Sequence, residues 1–248
     1  MYNPFSLEGK TILITGASSG IGRATAIECS KMGATVVITG RNAERLQATF
    51  EALDGAGHRQ ITADLTGDKE ITCVLNQLPE VNGVVNAAGI SMTVPFPFIK
   101  QQDIEKIFNI NFYIPTLLVK SLVRAKKLKH GSSVVFLSSI DGPVTVHMGN
   151  SVYAATKGAV SAMAKGMAVD LAAKGIRVNC ILPGMTETPL IHGEAFTEED
   201  LEKDKSQYPL KRYARPEEIA WAIVYFLSDA SSFSTGSSLI VDGGFTIQ

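Results

Sequence analysis

The stretch Thr15-Gly-Ala-Ser-Ser-Gly-Ile-Gly22 decides the fold. It follows a β-branched run, Lys10–Thr15, and precedes an apolar helical pattern, Ile21–Met32, so its glycines lie between a strand and a helix. Glycine permits a tight turn and lets a phosphate approach the main chain, where the free N–H groups and the dipole of a helix start attract the anion. The stretch therefore predicts a dinucleotide site that is formed by Gly16, Ser18, Ser19, Gly20, Ile21 and Gly22.

Short β-branched runs alternate with longer helical patterns along the rest of the chain. This alternation predicts an α/β protein: a single-domain Rossmann fold over residues 1–248, with a doubly wound parallel sheet of about seven strands and helices on both faces. The strands are expected at Lys10–Thr15, Thr35–Thr39, Arg59–Ala63, Gly83–Asn86, Ser133–Ser138, Arg177–Leu182 and Ser238–Asp242. The helices are expected at Ile21–Met32, Ala43–Leu53, Lys69–Leu78, about Gln102 to Lys129, Ser151–Ala173 and Pro216–Leu227.

The composition argues against several classes of protein. With 23 Lys and Arg against 24 Asp and Glu, the net charge of -1 gives no basic excess for nucleic acid or an anionic membrane. No apolar run approaches the ~20 residues of a membrane span, and the first residues lack the apolar core of a signal peptide. The cysteines, Cys29, Cys73 and Cys180, are far apart, so free thiols and a cytoplasmic location are expected. The histidines lack metal-ligand spacing, so no metal site is expected.

The end of the second strand indicates which dinucleotide is used. In this fold an acidic residue about 20 residues past the glycines accepts hydrogen bonds from the ribose of NAD. Here Arg41 stands at the strand end, and the nearest carboxylate, Glu44, already belongs to the next helix. A guanidinium pairs with a 2′-phosphate, so NADPH/NADP is predicted in preference to NAD; alternatively, Arg41 only extends into solvent.

The end of the third strand supplies further candidates. Asp64 and Leu65 follow it directly and are predicted to contact the adenine. Alternatively, Asp64 or Thr66 caps the following helix.

A Tyr-x-x-x-Lys pair, Tyr153 and Lys157, lies in a helix-forming stretch. The two side chains share one helix face, so the lysine charge is expected to favour the phenolate and to lower the tyrosine pKa from about 10. Ser139 ends the fifth strand, where it can hydrogen-bond a substrate carbonyl. Alternatively, the pair belongs to an ordinary amphipathic helix with an extended lysine. Together with the glycine turn, the pair indicates an enzyme of hydride transfer.

Segments over nearly the whole chain resemble the short-chain dehydrogenase/reductase family. The resemblance implies a catalytic tetrad of Asn111, Ser139, Tyr153 and Lys157, in which Tyr153 is the acid of ketone reduction and Ser139 polarises the carbonyl. It implies that Lys157 also binds the nicotinamide ribose and that Asn111 holds a water linking Lys157 to solvent. Alternatively, Asn111 is a helix-interior residue whose side chain bonds main chain and distorts the helix. The resembling segments are Thr15–Gly22, Asn86–Gly89, Asn111, Ser138–Ser139, Tyr153–Lys157, Pro183–Thr188 and Val241–Gly244.

The resemblance also implies further cofactor contacts, and the sequence departs from the family pattern at two places. Ala87 stands where the family frequently has a second asparagine. The interval from Ser139 to Tyr153 is one residue longer than the commonest, which leaves Ser138 as an alternative; Ser139 is preferred because it begins the loop. The implied cofactor contacts, besides those above, are Asn86, Ala87, Gly89, Tyr153, Lys157, Pro183, Gly184, Thr186 and Thr188.

Three largely apolar segments are expected to form the substrate site beyond the carboxyl ends of the strands: Ile90–Phe98, Ile140–Val152 and Thr186–Tyr208. The last, about 186–208, is expected to act as a mobile lid. His147 and His192 either contact polar groups of the substrate or are bystanders.

The sequence therefore predicts an NADPH-dependent reductase that converts a ketone, for example a 3-oxoacyl thioester, to a secondary alcohol. The alternatives are a sugar or polyol dehydrogenase and a dinucleotide-binding regulatory protein without turnover. A basic cluster either complements a helix C-terminus or docks an acyl carrier protein. The helix at Ser151–Ala173 has small or apolar residues around nearly its whole circumference, and with the resemblance it implies a homotetramer or homodimer. The basic cluster is Arg124, Lys126, Lys127, Lys129 and His130.

Overall fold

A computed structural model describes residues 2–189 and 197–248, apart from the side chains of Asp68 and Glu198. They form a parallel seven-stranded sheet in the order β3-β2-β1-β4-β5-β6-β7, so the predicted Rossmann fold class is confirmed. The strands are β1 Thr11–Thr15, β2 Thr35–Gly40, β3 Arg59–Thr62, β4 Val81–Asn86, β5 Leu128–Leu137, β6 Arg177–Pro183 and β7 Ser238–Val241.

Helices cover both faces of the sheet, which is why the central strands are apolar on both sides. Helices α1, α2 and α8 share a core with one face, and α3, α5 and α6 share cores with the other. In the described part of the chain, no helix is long and apolar enough to cross a membrane. The helices are α1 Gly20–Lys31, α2 Ala43–Phe50, α3 Asp68–Gln77, α4 Gln101–Phe108, α5 Ile114–Arg124, α6 Ser151–Leu171, α7 Glu198–Lys205 and α8 Pro216–Leu227.

The strand order reverses between β1 and β4, which pair in parallel with Thr15 opposite Asn86. The chain leaves β1 toward β2 on one side and leaves β4 toward β5 on the other. A crevice therefore opens where their carboxyl ends meet, and this is where open α/β sheets bind ligands.

The long helix predicted from about Gln102 to Lys129 is present, but it is shorter and less regular than expected. A π-helical turn, Asn109–Tyr113, separates α4 from α5, and α5 ends at Arg124. Lys126 has a left-handed φ of 54°, which stops the helix, and β5 then starts at Leu128 rather than at Ser133. Only Arg124 of the basic cluster lies in the last turn of α5, so complementing the helix C-terminus does not explain the rest of the cluster.

The predicted lid is described at residues 186–189 and 197–208, and its Leu190, Ile191, His192 and Phe196 lie outside the described residues. Its helix α7 is tied to the chain that follows, because the Tyr213 hydroxyl donates to Oδ2 of Asp204 over 2.8 Å. Tyr208 is buried and its hydroxyl accepts from the N–H of Met185 over 3.1 Å.

Candidate functional site

A cleft of about 390 Å³ lies at the carboxyl ends of β1, β2 and β4. It brings together most of the residues predicted to bind the cofactor. Those that line it are Gly16, Ser18, Ser19, Gly20, Ile21, Gly22, Arg41, Asp64, Leu65, Ala87, Gly89 and Thr188.

The glycine turn forms one end of the cleft in a conformation that side chains would disturb. Gly16 has a φ of 67°, and a Cβ there would stand 2.7 Å from Cα of Ala88; a Cβ on Gly22 would overlap the carbonyl oxygen of Gly16. Helix α1 begins after Ser19 without a side-chain cap and without an acidic residue in its first turn. The first N–H groups of a helix have no intrahelical partner, so this end of α1 suits a diphosphate.

Two guanidinium groups lie at the other end of the cleft. Arg41 is exposed just beyond β2 and makes no ion pair with the residues that the structure describes. Arg45, four residues later in the first turn of α2, also lines the cleft. Arg45 was not predicted from the sequence, and it comes to the cleft because α2 begins directly after the loop that carries Arg41. Main-chain N–H groups, serine hydroxyls and guanidinium groups are a donor set that fits an anionic dinucleotide.

The chain after β3 forms the adenine side of the predicted site. Asp64, Leu65 and Thr66 all line the cleft. Helix α3 is capped by Gly67 without a side-chain hydrogen bond, so the alternative that Asp64 or Thr66 caps it is wrong.

Six of the predicted cofactor residues do not line the cleft: Asn86, Tyr153, Lys157, Pro183, Gly184 and Thr186. The N–H of Gly184 donates to the carbonyl oxygen of Val241, and the buried Thr186 hydroxyl donates to the carbonyl oxygen of Gly184. Both amide atoms of Asn86 and the hydroxyl of Thr39 are buried and have no hydrogen-bond partner in the described part of the chain.

Three members of the predicted tetrad meet beside Gly89. A Cβ on Gly89 would stand 3.3 Å from Oδ1 of Asn111 and 3.6 Å from Nζ of Lys157. The Lys157 amine donates to the carbonyl oxygen of Leu137 over 2.8 Å and lies 5.7 Å from the centre of the Tyr153 ring. Since Gly89 and Leu137 both line the cleft, the amine lies at its inner end.

The structure brings Ser139, and not Ser138, to the phenol. The Ser139 side chain lies close enough to the Tyr153 phenol to oppose the rise of its pKa, and its hydroxyl accepts from the N–H of Asp141 over 3.1 Å. Ser138 is buried, donates to the carbonyl oxygen of Lys157 over 2.9 Å and contacts Ser161 Oγ at 2.8 Å. Ser138, which directly follows β5, therefore ties the end of that strand to α6.

Asn111 occupies the centre of the π-helical turn and is buried. Its Nδ2 donates to the carbonyl oxygen of Ile90 over 2.9 Å and to Thr156 Oγ1 over 3.2 Å, and its Oδ1 accepts from the Ile90 N–H over 2.9 Å. The sequence offered the alternative that the Asn111 side chain bonds main chain and distorts its helix. The helix is distorted, but the main chain that Asn111 binds belongs to a distant loop and not to its own helix. Both Nδ2 protons are used, so a water can only donate to Oδ1.

Burial governs the proton affinities of the pair on α6. Burial raises the pKa of Tyr153 to about 12, and the negative charge of Asp141 adds to the rise. The interaction with Ser139 acts in the opposite direction but is smaller. Burial also lowers the pKa of Lys157 to about 8. The expectation that the lysine lowers the tyrosine pKa is therefore wrong for this structure. At neutral pH the phenol keeps its proton and the amine is still mostly charged.

Comparison with known proteins was made on both sequence and structure. The family described as Enoyl-(Acyl carrier protein) reductase matches residues 16–246. The chain is 35% identical to a 3-oxoacyl-(acyl-carrier-protein) reductase FabG of Thermotoga maritima, over 97% of this chain and 99% of the relative. It is 34% identical to an NADP-dependent (R)-specific alcohol dehydrogenase of Lentilactobacillus kefiri, over 98% of each.

A solved structure from Beutenbergia cavernae, a putative NAD(P) dependent gluconate 5-dehydrogenase with bound NADP at low occupancy, superposes with a TM-score of 0.91. It is 30% identical and covers 99% of this chain and 100% of its own.

Proposed function

Because the chain belongs to the short-chain dehydrogenase/reductase family and is an oxidoreductase that acts on CH–OH or keto groups, we propose that it reduces a ketone to a secondary alcohol with NADPH. The family resemblance and the prediction of an enzyme are thereby confirmed, and the regulatory protein without turnover is set aside. The observation that carries the proposal is that the Ser139 side chain lies beside the Tyr153 phenol, whose ring centre is 5.7 Å from the Lys157 amine.

In the proposed reaction the two hydroxyls hold the substrate carbonyl oxygen. NADPH, when bound along the glycine turn, supplies the hydride that the carbonyl carbon accepts. Tyr153 donates its proton to the carbonyl oxygen, and Ser139 donates a hydrogen bond that stabilises the developing negative charge. Lys157, anchored on Leu137, keeps a positive charge near both the phenol and the cleft.

At neutral pH the phenol carries the proton that ketone reduction needs, because burial raises its pKa to about 12. It can therefore act as the proton donor once negative charge develops on the carbonyl oxygen. The amine, with its pKa lowered to about 8, can exchange protons near neutral pH and so helps to reprotonate the phenol after each turnover.

The function is tested with a panel of 3-oxoacyl thioesters, simple ketones and keto sugars, each offered with NADPH and with NADH. We expect loss of reduced-nicotinamide absorbance with at least one ketone class, and faster with NADPH. If no carbonyl compound in the panel oxidises either cofactor, the proposed reaction is wrong.

The adjacent serines give a matched pair of variants. Ser139→Ala is expected to lower kcat about 100-fold, because a donor to the reacting oxygen is lost, with little change in stability. Ser138→Ala is expected to lower the free energy of unfolding by about 1–2 kcal/mol, because the buried carbonyl oxygen of Lys157 loses its donor. Steady-state kinetics and urea unfolding of both variants check this, and the reverse pattern would move the catalytic role to Ser138.

We propose that Arg41, with Arg45, selects NADPH through the 2′-phosphate. An exposed charge-assisted contact is worth about 1.4 kcal/mol, so Arg41→Ala should weaken NADPH binding about 10-fold and leave NADH binding nearly unchanged. Calorimetric titration with both cofactors measures this. Arg59→Ala, an exposed arginine outside the cleft, is the control. Equal losses for both cofactors in Arg41→Ala would refute the assignment.

For the substrate we propose a 3-oxoacyl thioester, which the named activity of the Thermotoga maritima relative supports. Exposed Arg124, Lys126, Lys129 and His130 provide a basic surface for an acyl carrier protein. Equal turnover of free and carrier-bound substrate would argue against docking. A sugar or polyol dehydrogenase is the second candidate, favoured by the similarity to the putative gluconate 5-dehydrogenase of Beutenbergia cavernae.

Assembly, the lid and the location complete the proposal. A homotetramer or homodimer is supported by the outer face of α6, where Ala155, Ala162, Gly166 and Val169 are exposed.

Residues 186–208 are proposed as the lid of a single-domain enzyme, since their helix α7 is held by Tyr213. The absence of disulfides among Cys29, Cys73 and Cys180 supports a cytoplasmic location.

A further inference from the structure

A buried carboxylate lies in the loop between Ser139 and α6. The Asp141 side chain is only 5% exposed, and its Oδ1 lies 2.6 Å from Nδ1 of His147. Its Oδ2 accepts from Nδ2 of Asn150 over 2.9 Å. A buried charge is costly unless it is paired and hydrogen-bonded, and both conditions are met here.

This carboxylate is directly connected to the proposed reacting groups. The N–H of Asp141 donates to Ser139 Oγ, and the charge of Asp141 contributes to the raised pKa of Tyr153. Asn150 precedes α6, and its carbonyl oxygen accepts from the N–H of Ala154 over 2.7 Å. Asp141 therefore links the serine, the start of the tyrosine helix and the histidine ring.

His147 presents a polar edge that the protein itself does not use. The ring packs against Phe245 with centroids 5.4 Å apart, and the side chain is 40% exposed. Its Nδ1 edge faces Asp141, so Nε2 is at the opposite edge. Nε2 has no hydrogen bond to the residues that the structure describes.

The charges around the ring determine what it can bind. The hydrogen bond to Asp141 raises the pKa of His147, and the charge of Asp204 on α7 adds to the rise. Burial acts in the opposite direction, by lowering this pKa. Tyr208 packs against the same Phe245 and feels Asp204, Asp242 and Asp141, so the ionisable groups around the His147 ring are acids and a phenol. Such surroundings disfavour an anionic substrate group and leave an uncharged oxygen as the suitable acceptor.

We propose that His147 binds the substrate, by donating a hydrogen bond from Nε2 to an uncharged carbonyl oxygen other than the one being reduced. The inference rests on the proposed ketone reduction and narrows its substrates to ketones that carry a second carbonyl, as 3-oxoacyl thioesters do. Asp141 is a positioning residue: it keeps the proton on Nδ1, so Nε2 donates only when the ring is protonated.

The test compares two substrates that differ in one oxygen: the acetoacetyl thioester of N-acetylcysteamine, and its thioether analogue with a methylene in place of the thioester carbonyl. The readout is the kcat/KM for the thioester divided by the kcat/KM for the thioether. His147→Phe is expected to lower this ratio about 10- to 100-fold, since a polar contact to the substrate is lost. His147→Gln, whose amide can donate, should restore part of it. Thermal unfolding and NADPH binding show that each variant is folded.

The pH dependence of this ratio distinguishes substrate binding by His147 from a purely structural role, which would leave the ratio independent of pH. The ratio should be highest at low pH and fall as the pH rises through the pKa of His147, measured by NMR of the ring. In Asp141→Asn that pKa falls, so the decline of the ratio should move to lower pH. If the ratio is independent of pH and unchanged in His147→Phe, the inference about His147 is wrong, but the proposed ketone reduction still stands. If the wild-type protein reduces neither substrate, both the inference and the proposed function are wrong.

Discussion

Replacing Tyr153 with Phe should lower kcat about 1,000-fold and leave NADPH binding within about twofold of the wild type. The phenol is the proposed proton donor, and the variant removes one oxygen while keeping the ring. The Ser139 hydroxyl and the Lys157 amine, which donates to Leu137, stay in place. Steady-state kinetics on a ketone from the panel, with calorimetric titration of NADPH, measures both quantities.

Tyr225→Phe is the matched control, since Tyr225 lies on α8, its hydroxyl is 3.4 Å from Ser234 Oγ, and it belongs to none of the proposed reacting groups. It should leave kcat unchanged. A Tyr153→Phe enzyme that keeps more than about a tenth of the wild-type kcat would show that another group supplies the proton. A large loss of NADPH affinity in the same variant would assign Tyr153 to binding instead.

Gly16→Ala should damage both stability and cofactor binding. The position has a left-handed φ of 67°, and the added Cβ would stand 2.7 Å from the main chain of Ala88. Strain and overpacking together should cost about 3 kcal/mol of the free energy of unfolding. The turn must shift to relieve the contact, which moves the N–H groups of α1, and NADPH binding should weaken about 100-fold.

Gly166→Ala is the control for a glycine that needs no special geometry. It lies within α6 with no atom of its own chain within 4 Å of the added Cβ, so NADPH affinity should not change. Urea unfolding and cofactor titration of both variants are compared. Unchanged NADPH binding in Gly16→Ala would mean that the glycine turn does not hold the diphosphate.

The sheet and the cleft could be predicted from the sequence because their signals are local. Buried parallel strands are short apolar runs, so the sheet is visible in the sequence. The turn after the first strand contains its own glycines, and Gly16, Gly20 and Gly22 line the cleft as predicted. The π-helical turn in the long helix has no such signal. Its Asn111 binds the main chain of Ile90, 21 residues away in the sequence, and this contact exists only in the folded chain.

The chemistry of the site was harder to predict than its position. The spacing of Tyr153 and Lys157 indicated that the side chains are close, but the sign of the pKa shift depends on burial, which the spacing does not contain. In the same way, Asp141 and His147 are six residues apart in an irregular loop. No periodic pattern joins them, and the loop's own turns bring them into contact.

The π-helical turn Asn109–Tyr113 sets the angular phase between α4 and α5. One residue corresponds to about 100° of rotation in an α-helix, so deleting a residue here would swing all of α4 around its axis. Its single buried residue, Ile107, would then turn toward solvent, and Asn111 would leave Ile90. Length changes should therefore be rejected in this segment during evolution, although single substitutions on its exposed side are tolerated.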